Sequence, residues 1–375
     1  MKKICMIHKV RVLDGRSFYK EARTLAAAGY DVSLVGLFGN DGEAAGIRLI
    51  GLSPEPRRIA RFVLTNAKIF RLALKERADV FHFHDLDFIP WAVLLKLVTG
   101  KRVIYDIHEA YPEYMMLKSY IPRGLKRITS FLVYLLEHAG VRVFDAIIPN
   151  DNFIAAGFTH RNSVTMFNFP TLDFFSAQED VPWAEREFDL FYHGSLPSYT
   201  FSTMLSIAER LNTDGVKNRW GIVLNDRADP AWAQEAAARR GLGDNFVFLS
   251  SLDYLKVARY LMRAKIGIIP LPAFRKFLKN IPLKMFEFMG CGMPVVLSDL
   301  PPSRQFIRDE GCAIAVRADD IAAYADAVRT LLGDRAAAGS MGERGKRLVF
   351  EKYNWRREEE KLLGLYGRLL DTGGA

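Results

Sequence analysis

The chain is poor in cysteine and lacks long hydrophobic runs, and each shortage excludes a class of protein. Among 375 residues there are three cysteines, Cys5, Cys291 and Cys312, without the paired spacing of a disulfide framework or a zinc motif. We therefore expect reduced, buried thiols. The closest approach to a membrane span, Phe131–Leu136, is far shorter than the run needed to cross a bilayer. The chain is therefore not expected to span a membrane.

A secretory leader and a dinucleotide fingerprint are also missing. Met1 and two lysines run directly into an apolar strand pattern, so we expect a cytoplasmic location. The loops after the first predicted strand of each half contain one glycine each, Gly15 and Gly194, where a dehydrogenase needs several to approach a pyrophosphate. Both loops disfavour a hydride-transfer enzyme.

Basic residues are in excess, with a formal charge of +9, and they collect in two stretches. These residues are Arg57, Arg58, Arg61, Lys68, Arg71, Lys75, Lys118, Arg123, Lys126 and Arg127. The second stretch alternates with aromatic and aliphatic residues, which suits an anionic membrane surface. A solvated helix face, with arginine stems covering apolar surface, explains the pattern equally well. No nucleic-acid-binding motif accompanies the charge, so nucleic acid is not an expected partner.

Short apolar runs alternate with amphipathic stretches along most of the chain, which predicts an α/β fold with parallel sheets. The length favours two domains. We predict an N-terminal domain at 1–168, a linker at 169–188, a C-terminal domain at 189–352 and a last helical segment at 353–375. Each domain is expected to be a doubly wound, Rossmann-like unit that faces a central cleft at the carboxyl ends of its strands.

The apolar runs give specific strand and helix predictions. In the first half we expect strands at Lys3–Ile7, Val32–Gly36, Arg48–Leu52, Asp79–His84, Arg102–Asp106, Ala146–Pro149 and Val164–Phe167, and a helix at Ser17–Ala28. In the second half we expect strands at Asp189–Tyr192, Gly221–Leu224, Phe246–Leu249, Ile266–Pro270, Val295–Leu297 and Ile314–Val316. Its helices are expected at Ser202–Leu211, Trp232–Arg240, Tyr254–Arg263, Ile321–Leu332 and Arg335–Phe350, before a last helix at about Trp355–Leu370.

The segment from Asn280 to Asp299 is the most informative part of the chain. It predicts a loop, a short helix with Pro282 in its first turn, a glycine turn and a buried strand. Lys284 and Glu287 stand three residues apart and so share one face of that helix near its positive end. Lysine and amides can bind a diphosphate while the carboxylate binds a ribose diol. The alternative is that Glu287 only offsets the helix dipole.

Two polar clusters follow predicted strands of the first domain. In the first, alternation places His82 and His84 on the same side of the strand, with Asp85 in the following turn. In the second, His108 stands between Asp106 and Glu109, which favours a functional role for this histidine.

The same clusters raise the question of a metal site. No well-spaced second ligand motif accompanies the histidines, so no metal is expected. Taken singly, His82 and His193 are each expected to bond a neighbouring carbonyl.

With these motifs, the chain resembles the family-4 retaining glycosyltransferases, which have the GT-B fold and build bacterial surface polysaccharides and glycolipids. The resemblance lies in Asp79-Val-Phe-His-Phe-His-Asp-Leu-Asp87, Val103-Ile-Tyr-Asp-Ile-His-Glu109 and the Pro282–Val296 segment, with Arg16–Val32 also fitting. It covers nearly the whole chain and implies a last helix that crosses back onto the first domain.

The resemblance implies roles for individual residues. Glu287 is expected to hold the ribose of a nucleotide sugar, and Lys284 with the amides after Asn280 to meet its diphosphate. The donor side further includes Lys279, Ile281, Leu283, Gly194 and Leu252, which borders the base. His108, Glu109 and Asp85 are the expected catalytic residues, and Gly15, Arg16 and His84 lie on the acceptor side. No cofactor is expected besides the nucleoside diphosphate sugar, which is the donor substrate.

Two departures from the family pattern concern the donor. The family often has a glutamate eight residues before the position of Glu287, where this chain has Lys279. It also tends to place cations after the first glycine of the second domain, where Gly194 is followed by Ser-Leu-Pro-Ser-Tyr-Thr. Lys279, Lys284, Arg275 or Lys276 can replace the missing charge, or donor binding is impaired.

We therefore predict a retaining glycosyltransferase that moves a hexose to a lipid-linked or polysaccharide acceptor, peripheral on the inner face of the cell membrane if the basic surface binds lipid. Two alternatives remain open. A nucleotide-sugar epimerase of the same fold would use the histidines and carboxylates as acid and base without an acceptor. A catalytically silent sugar-binding or membrane scaffold protein would explain the missing cations.

Overall fold

The structure, a computed structural model, describes residues 1–11, 13–53, 55, 61–176, 181–224, 229–249 and 254–371. It forms two compact units. One comprises Met1–Asn168 and Trp355–Ala375, and the other comprises Phe169–Asn354. The segment expected to be a linker, from residue 169 onward, is therefore counted within the second unit.

The first unit is built on a seven-stranded sheet in the order β3-β4-β2-β1-β5-β6-β7. Its strands are β1 (Lys3–Ile7), β2 (Asp31–Gly36), β3 (Gly42–Ala44), β4 (Ile47–Gly51), β5 (Val80–Phe83), β6 (Arg102–Ile107) and β7 (Ala146–Pro149). All neighbours pair in parallel except β3, which is antiparallel to β4. The central strands are apolar runs buried along their length, as a sheet covered on both faces requires.

Helices cover this sheet. They are α1 (Arg23–Ala27), α2 (Asn66–Glu76), α3 (Ile89–Thr99), α4 (Tyr111–Leu117), α5 (Lys126–Val141) and α6 (Asn152–Ala155). The first two continue from π-helical segments at Ser17–Ala22 and Arg61–Thr65. The predicted helix at Ser17–Ala28 therefore exists, but its first half is wound with the wider π-helical turn, which is often found at functional sites.

One predicted strand is wrong. Val164–Phe167 forms no strand, and only Ser163 makes an isolated bridge to Ile147. Val164 N and Met166 N still donate to the Ile147 and Pro149 carbonyls of β7 at 3.1 and 2.9 Å, but Pro149 has no N–H with which to complete the ladder. Side chains bond to the end of the segment. Phe167 N donates to Oε2 of Glu358 at 3.0 Å, and Nη1 of Arg16 donates to the Met166 carbonyl at 3.0 Å.

The second unit has a six-stranded, fully parallel sheet in the order β10-β9-β8-β11-β12-β13. Its strands are β8 (Phe188–Gly194), β9 (Trp220–Leu224), β10 (Phe246–Leu249), β11 (Ala264–Ile269), β12 (Val295–Ser298) and β13 (Ala313–Val316). Its helices are α7 (Asp173–Ser176), α8 (Ser198–Thr213), α9 (Ala231–Arg239), α10 (Tyr254–Leu261), α11 (Lys284–Gly290), α12 (Pro301–Ile307), α13 (Ile321–Gly333) and α14 (Arg335–Glu351). The six predicted strands are confirmed, with ends displaced by one or two residues.

The last helix, α15 (Arg356–Asp371), belongs to the first unit. Four of its residues repeat at helical spacing and are buried in the core that covers β1 and β2, namely Leu362, Leu365, Tyr366 and Leu369. Just before it, Trp355 is buried and its Nε1 donates to Oγ1 of Thr24 at 3.0 Å. The predicted return of the terminal helix to the first domain is confirmed.

Across the described ranges, no helix combines the length and the apolar character that a transmembrane span requires. The three thiols are free and buried, as expected.

Candidate active site

Strand register brings the histidines of the first unit to one edge of the sheet. Ile7, Phe83 and Tyr105 lie side by side on β1, β5 and β6, so the residues that follow them emerge together. The strand order also reverses between β1 and β5, because β2 lies on the other side of β1. Ligands of doubly wound sheets bind at the carboxyl ends of strands at such a reversal.

Four imidazoles meet at this point. The ring of His8 stacks on that of His84 with centroids 4.6 Å apart, and His82 stacks on His84 at 4.9 Å. Nδ1 of His84 lies 2.9 Å from Nε2 of His108. His82 and His84 are fully buried, whereas the side chain of His108 is 20 % exposed. His108 is therefore the member of the cluster that lies nearer the surface.

A buried ion pair lies against the histidines. Nε and Nη2 of Arg16 donate to Oδ2 of Asp106 at 3.0 and 2.8 Å, and Arg16 Nε also lies 2.8 Å from Oε1 of Glu21. Burial opposes the ionisation of Asp106, but Arg16 and His108 outweigh it and hold the pKa of Asp106 well below its usual range. Burial, with the charge of Asp106, raises the pKa of Glu21 well above its ordinary value. Of the two carboxyls beside Arg16, Glu21 is therefore the neutral one and Asp106 the charged one.

Asp14 holds the loop that carries Gly15. Its Oδ2 accepts from the amides of Arg16 and Ser17 at 3.0 and 3.1 Å, and its Oδ1 accepts from the Ser17 hydroxyl. Nδ1 of His8 lies 3.0 Å from that hydroxyl. Burial opposes the charged form of His8, but Asp14 and the more distant carboxylates outweigh it and raise the pKa of this imidazole. These contacts join the end of β1 to the start of the π-helix.

The structure corrects the expected acceptor-side roles. Arg16 and His84 are only 2 % and 1 % exposed, so they contact their buried partners and present no surface to an acceptor. Gly15 remains partly exposed. Asp85 accepts from the amide of Lys9 at 2.8 Å and thereby fixes the loop after β1, while Glu109 lies partly buried directly after His108.

The prediction that His82 bonds a carbonyl is also wrong. Its Nδ1 lies 2.9 Å from the hydroxyl of Tyr366 on the last helix. Sequence reasoning could not find this contact because the two residues are 284 positions apart. It also missed His8, Asp14 and Glu21, whose only signal was their position after the first strand.

In the second unit, the end of β8 meets the first turn of α11. Nε2 of His193 lies 3.0 Å from Oε2 of Glu287, so His193 pairs with a carboxylate and not with the expected carbonyl. Nζ of Lys284 lies 3.6 Å from the ring centroid of Tyr192, within cation–π range. The strand order reverses at β8 as well, between β9 and β11. Lys284 and Glu287 therefore stand at the second such reversal.

Burial determines the charge of Lys284. It lowers the pKa of this ammonium to about 7, partly against the attraction of Glu287. The lysine is thus close to half-protonated at neutral pH, and a negatively charged ligand would favour its charged form.

The loops around this turn lie near their predicted positions. Helix α11 begins at Lys284, two residues after Pro282, whose carbonyl accepts from Met285 N at 2.9 Å. Pro282 therefore precedes the helix and is not within its first turn. Gly292 ends the turn with φ +66°, which only glycine adopts without strain, and Gly194 has φ +106°.

The other expected donor-side residues are Lys279, Asn280, Ile281 and Leu283, and all four are partly buried in the loop before α11. Lys279 N donates to the Lys276 carbonyl at 3.1 Å, which closes a turn. Leu252 lies outside the described residues.

One group of side chains has the chemistry to hold a metal ion. Glu21, His82, His84 and Asp106 are all buried, and each offers a donor atom within 4.8 Å of the others. The guanidinium of Arg16 lies against both carboxylates and already supplies a positive charge there. The charge balance of this cluster is therefore satisfied by Arg16 together with a proton on Glu21.

Comparison with known proteins identifies the family of the chain. The family model described as Glycosyltransferase Family 4 matches residues 15–165, and the one described as Glycosyl transferases group 1 matches residues 188–334. A D-inositol 3-phosphate glycosyltransferase of Geodermatophilus obscurus is 26 % identical over 137 residues, which are 36 % of this chain and 28 % of that protein. This chain thus aligns with little more than a quarter of that relative's length.

Solved structures resemble the whole chain. Sucrose-phosphate synthase from Thermosynechococcus elongatus superimposes with a TM-score of 0.79 at 18 % identity, over 100 % of both chains. Anabaena HepE, solved in complex with UDP and glucose, gives a TM-score of 0.71 at 12 % identity, over 98 % of this chain and 100 % of that one. Two doubly wound units of this kind define the GT-B fold. With both halves matched by glycosyltransferase families, the chain belongs to the family-4 glycosyltransferases, a class of nucleotide-sugar-dependent transferases.

Proposed function

We propose that the protein is a retaining glycosyltransferase that moves a hexose from a nucleoside diphosphate sugar to a lipid-linked or polysaccharide acceptor. The observation that carries the proposal is the pairing of Lys284 and Glu287 with Tyr192 and His193 at the end of β8. A cation and a carboxylate are held there side by side at the position where a doubly wound sheet binds its ligand.

Glu287 is suited to a ribose diol. An ionised carboxylate only accepts hydrogen bonds, and its two oxygens can accept from two adjacent hydroxyls. His193 contacts Oε2 and keeps the carboxylate in one orientation. In this assignment Glu287 binds the ribose and His193 positions Glu287.

Lys284 is suited to the diphosphate. Its partial burial makes the uncharged form accessible near neutral pH, and an arriving diphosphate restores the charge. The amides after Asn280 complete the contact in the family pattern. In the transfer step these groups stabilise the charge on the departing diphosphate, and no cofactor is assigned. Retention of configuration follows from the family resemblance and implies front-face displacement.

His108 is assigned, together with Glu109 and Asp85, to the transferred sugar and the acceptor. It is the partly exposed member of the histidine cluster at the carboxyl end of the first sheet. The donor residues belong to the second unit and His108 to the first.

A lipid-linked acceptor is supported by the outer face of the first unit. Helix α5 exposes Ile128, Phe131, Leu132 and Leu135, which repeat at helical spacing and form one apolar stripe. Leu94, Leu97 and Val98 of α3, which packs beside α5, are exposed as well. An outward-facing apolar stripe is the opposite of what a solvated helix presents.

Cations border this stripe. Arg123 and Arg127 are exposed at the start of α5, and Nζ of Lys118 lies 3.7 Å from the ring centroid of Tyr114. Apolar side chains flanked by cations fit an anionic bilayer surface, so we assign this face to peripheral membrane binding on the inner leaflet. The upstream basic residues Arg57 and Arg58 lie outside the described residues.

The experiment that tests the donor assignment is a thermal-shift panel of UDP, GDP and ADP with their sugars. A ligand that binds only the folded protein raises the melting temperature, and the rise grows with the logarithm of ligand concentration above its dissociation constant. Uridine nucleotides come first because HepE was solved with UDP and glucose. A panel without any shift at millimolar nucleotide would contradict the proposal.

A further inference from the structure

The buried ion pair of the first unit determines which atoms around it carry protons. Arginine side chains remain charged in proteins. Arg16 donates twice to Oδ2 of Asp106. Asp106 therefore remains an anion, and an ionised carboxylate can only accept hydrogen bonds. Where two ring nitrogens beside Asp106 share one proton, the nitrogen nearer to the anion is favoured to carry it.

His108 faces this anion. Its Nε2 lies 3.2 Å from Oδ1 of Asp106 and 2.9 Å from Nδ1 of His84. Nδ1 of His84 is farther from the anion, 3.8 Å from Oδ2 of Asp106, so the proton between the two rings is assigned to Nε2 of His108. Nδ1 of His84 must then be unprotonated, since two N–H groups would repel each other at this distance.

The assignment has consequences for the neighbouring imidazoles. The proton of His84 is left on Nε2, which lies 3.5 Å from Oε2 of Glu21. Burial keeps the hydroxyl of Tyr366 protonated by raising its pKa, so it can donate to Nδ1 of His82. His82 then carries its proton on Nε2, 3.7 Å from Oδ2 of Asp106. All three imidazoles share one tautomer.

We propose that Asp106, held as an anion by Arg16, is a positioning residue that fixes His108 in its Nε2–H tautomer. This leaves Nδ1, the ring nitrogen that faces away from Asp106 and His84, as a hydrogen-bond acceptor. The identity of its partner, a hydroxyl of the sugar or acceptor, rests on the proposed function. The tautomer itself does not, because it follows from contacts within the first unit.

A bound metal would reverse the assignment. If an ion were held by Glu21, His82, His84 and Asp106 with Nε2 of His84 as a ligand, that nitrogen would carry no proton. The proton of His84 would then lie on Nδ1, opposite Nε2 of His108, and His108 would carry its proton on Nδ1. The tautomer of His108 therefore distinguishes the proposal from a metal site.

The test is a long-range ¹H–¹⁵N correlation spectrum of the full-length, ligand-free protein with ¹⁵N-labelled histidine. The seven histidines are assigned with single His→Gln variants. We expect neutral His108 to be protonated on Nε2. In Asp106→Asn, we expect a clear population with the proton on Nδ1, because an amide can also donate.

The matched control is Asp145→Asn. Asp145 is a second buried aspartate of the same unit, paired with Lys96 at 2.7 Å and Arg102 at 3.1 Å, away from the histidines. Its replacement should lower the melting temperature without moving the His108 signals. If Asp106→Asn does not fold, the His108 tautomer in the wild-type spectrum tests the proposal. Arg16→Lys keeps the positive charge beside Asp106, so its His108 should have the same tautomer as the wild type.

The proposal is overturned if wild-type His108 carries its proton on Nδ1, or if folded Asp106→Asn keeps the wild-type tautomer. One equivalent of Zn²⁺ that shifts the His82 and His84 signals would also overturn it, in favour of a metal site. Nucleotide binding by Asp106→Asn should remain, because the donor residues lie in the other unit. Failure of the donor assignment would thus leave the His108 result unaffected.

Discussion

Nε2 of His193 lies 3.0 Å from Oε2 of Glu287, and this contact joins the end of strand β8 to the first turn of helix α11. Both side chains are 13 % exposed, so the pair is held in a largely dry environment while remaining accessible to a ligand. A close polar contact to a carboxylate in such surroundings restricts its orientation. The contact makes His193 part of the proposed donor site, although the sequence singled it out only as a strand-end histidine.

Replacement of His193 tests whether it acts through Glu287. We expect His193→Phe to weaken binding of the preferred nucleoside diphosphate by about three- to tenfold, the value of one charge-assisted hydrogen bond or less. In calorimetry, His193→Phe should add little further loss to Glu287→Ala, because coupled residues are not additive. Additive losses would show that His193 contributes independently of Glu287.

The lowered pKa of Lys284 predicts a pH dependence of donor binding. The free protein loses this proton around pH 7, whereas a bound diphosphate favours the protonated form. Affinity should therefore fall as pH rises from 7 to 9, by up to about tenfold per pH unit. The phosphate itself is fully ionised in this range, since its second pKa is about 6.

Arginine at the same position is the matched control for that pH dependence. Lys284→Arg stays charged throughout the range and should bind with an affinity that does not change between pH 7 and 9. Titration calorimetry over this range measures both proteins. A wild-type affinity that is equally flat would mean that Lys284 does not meet the diphosphate.

Amide substitution of the two buried carboxyls, Asp106 and Glu21, should destabilise the protein to different extents. Asp106→Asn leaves Arg16 buried without its anion and should cost about 3–5 kcal/mol of unfolding free energy. Glu21→Gln replaces a neutral carboxyl with a neutral amide and should cost about 1 kcal/mol or less. Urea unfolding at pH 7 measures both, and equal losses would contradict the assignment of the proton to Glu21.

The pH dependence of stability provides a second measure of the Glu21 proton. A carboxyl whose pKa is raised on folding stabilises the fold fully below its unfolded pKa, and that contribution is lost as pH rises toward the folded value. The wild type should therefore lose stability relative to Glu21→Gln as pH rises above about 4.5, the unfolded value. A constant difference between the two proteins from pH 5 to 8 would exclude a raised pKa at this residue.

The exposed stripe on α5 predicts membrane binding. Phe131 and Leu132 are each 58 % exposed, and replacing both with serine should reduce co-sedimentation with phosphatidylglycerol vesicles at least about tenfold. Wild-type binding should be weaker with phosphatidylcholine alone and should fall with added salt. Trp232→Ser, which removes an exposed aromatic from the second unit, is the control and should bind like wild type.

Two results would contradict the membrane assignment. Binding that is indifferent to lipid charge would remove the role of the cations. A change in oligomeric state caused by the Phe131 and Leu132 substitutions, seen by light scattering, would show instead that the stripe contacts a second copy of the chain.

The sheets could be predicted from sequence because buried parallel strands are continuous apolar runs, as in Lys3–Ile7 and Val295–Ser298. The short antiparallel strand Gly42–Ala44 has no such run and was missed. Val164–Phe167 has the strand pattern and donates two backbone hydrogen bonds to β7, but Pro149 has no N–H to complete the ladder. The segment's own sequence does not show this, because the proline lies on the neighbouring strand.

The candidate site was predictable where its residues are close in sequence. Lys284 and Glu287 share one helix, so spacing alone placed them together. The family resemblance implied that Arg16 lies on the acceptor side, but its guanidinium turns inward to Asp106, 90 residues away. Burial of a charged side chain depends on its distant partners, and the local pattern could not show it.

The central claim is that the first turn of α11 binds the nucleotide of the donor, and titration calorimetry with UDP, GDP and ADP tests it most directly. The account predicts that the preferred nucleotide binds the wild type and Glu235→Ala equally, because Glu235 is an exposed helix residue paired only with Arg239 in the described contacts of the second unit. Glu287→Ala should bind at least about tenfold more weakly, the loss of one to two charge-assisted hydrogen bonds. Glu287→Ala that folds and binds the nucleotide as tightly as the wild type would contradict the account.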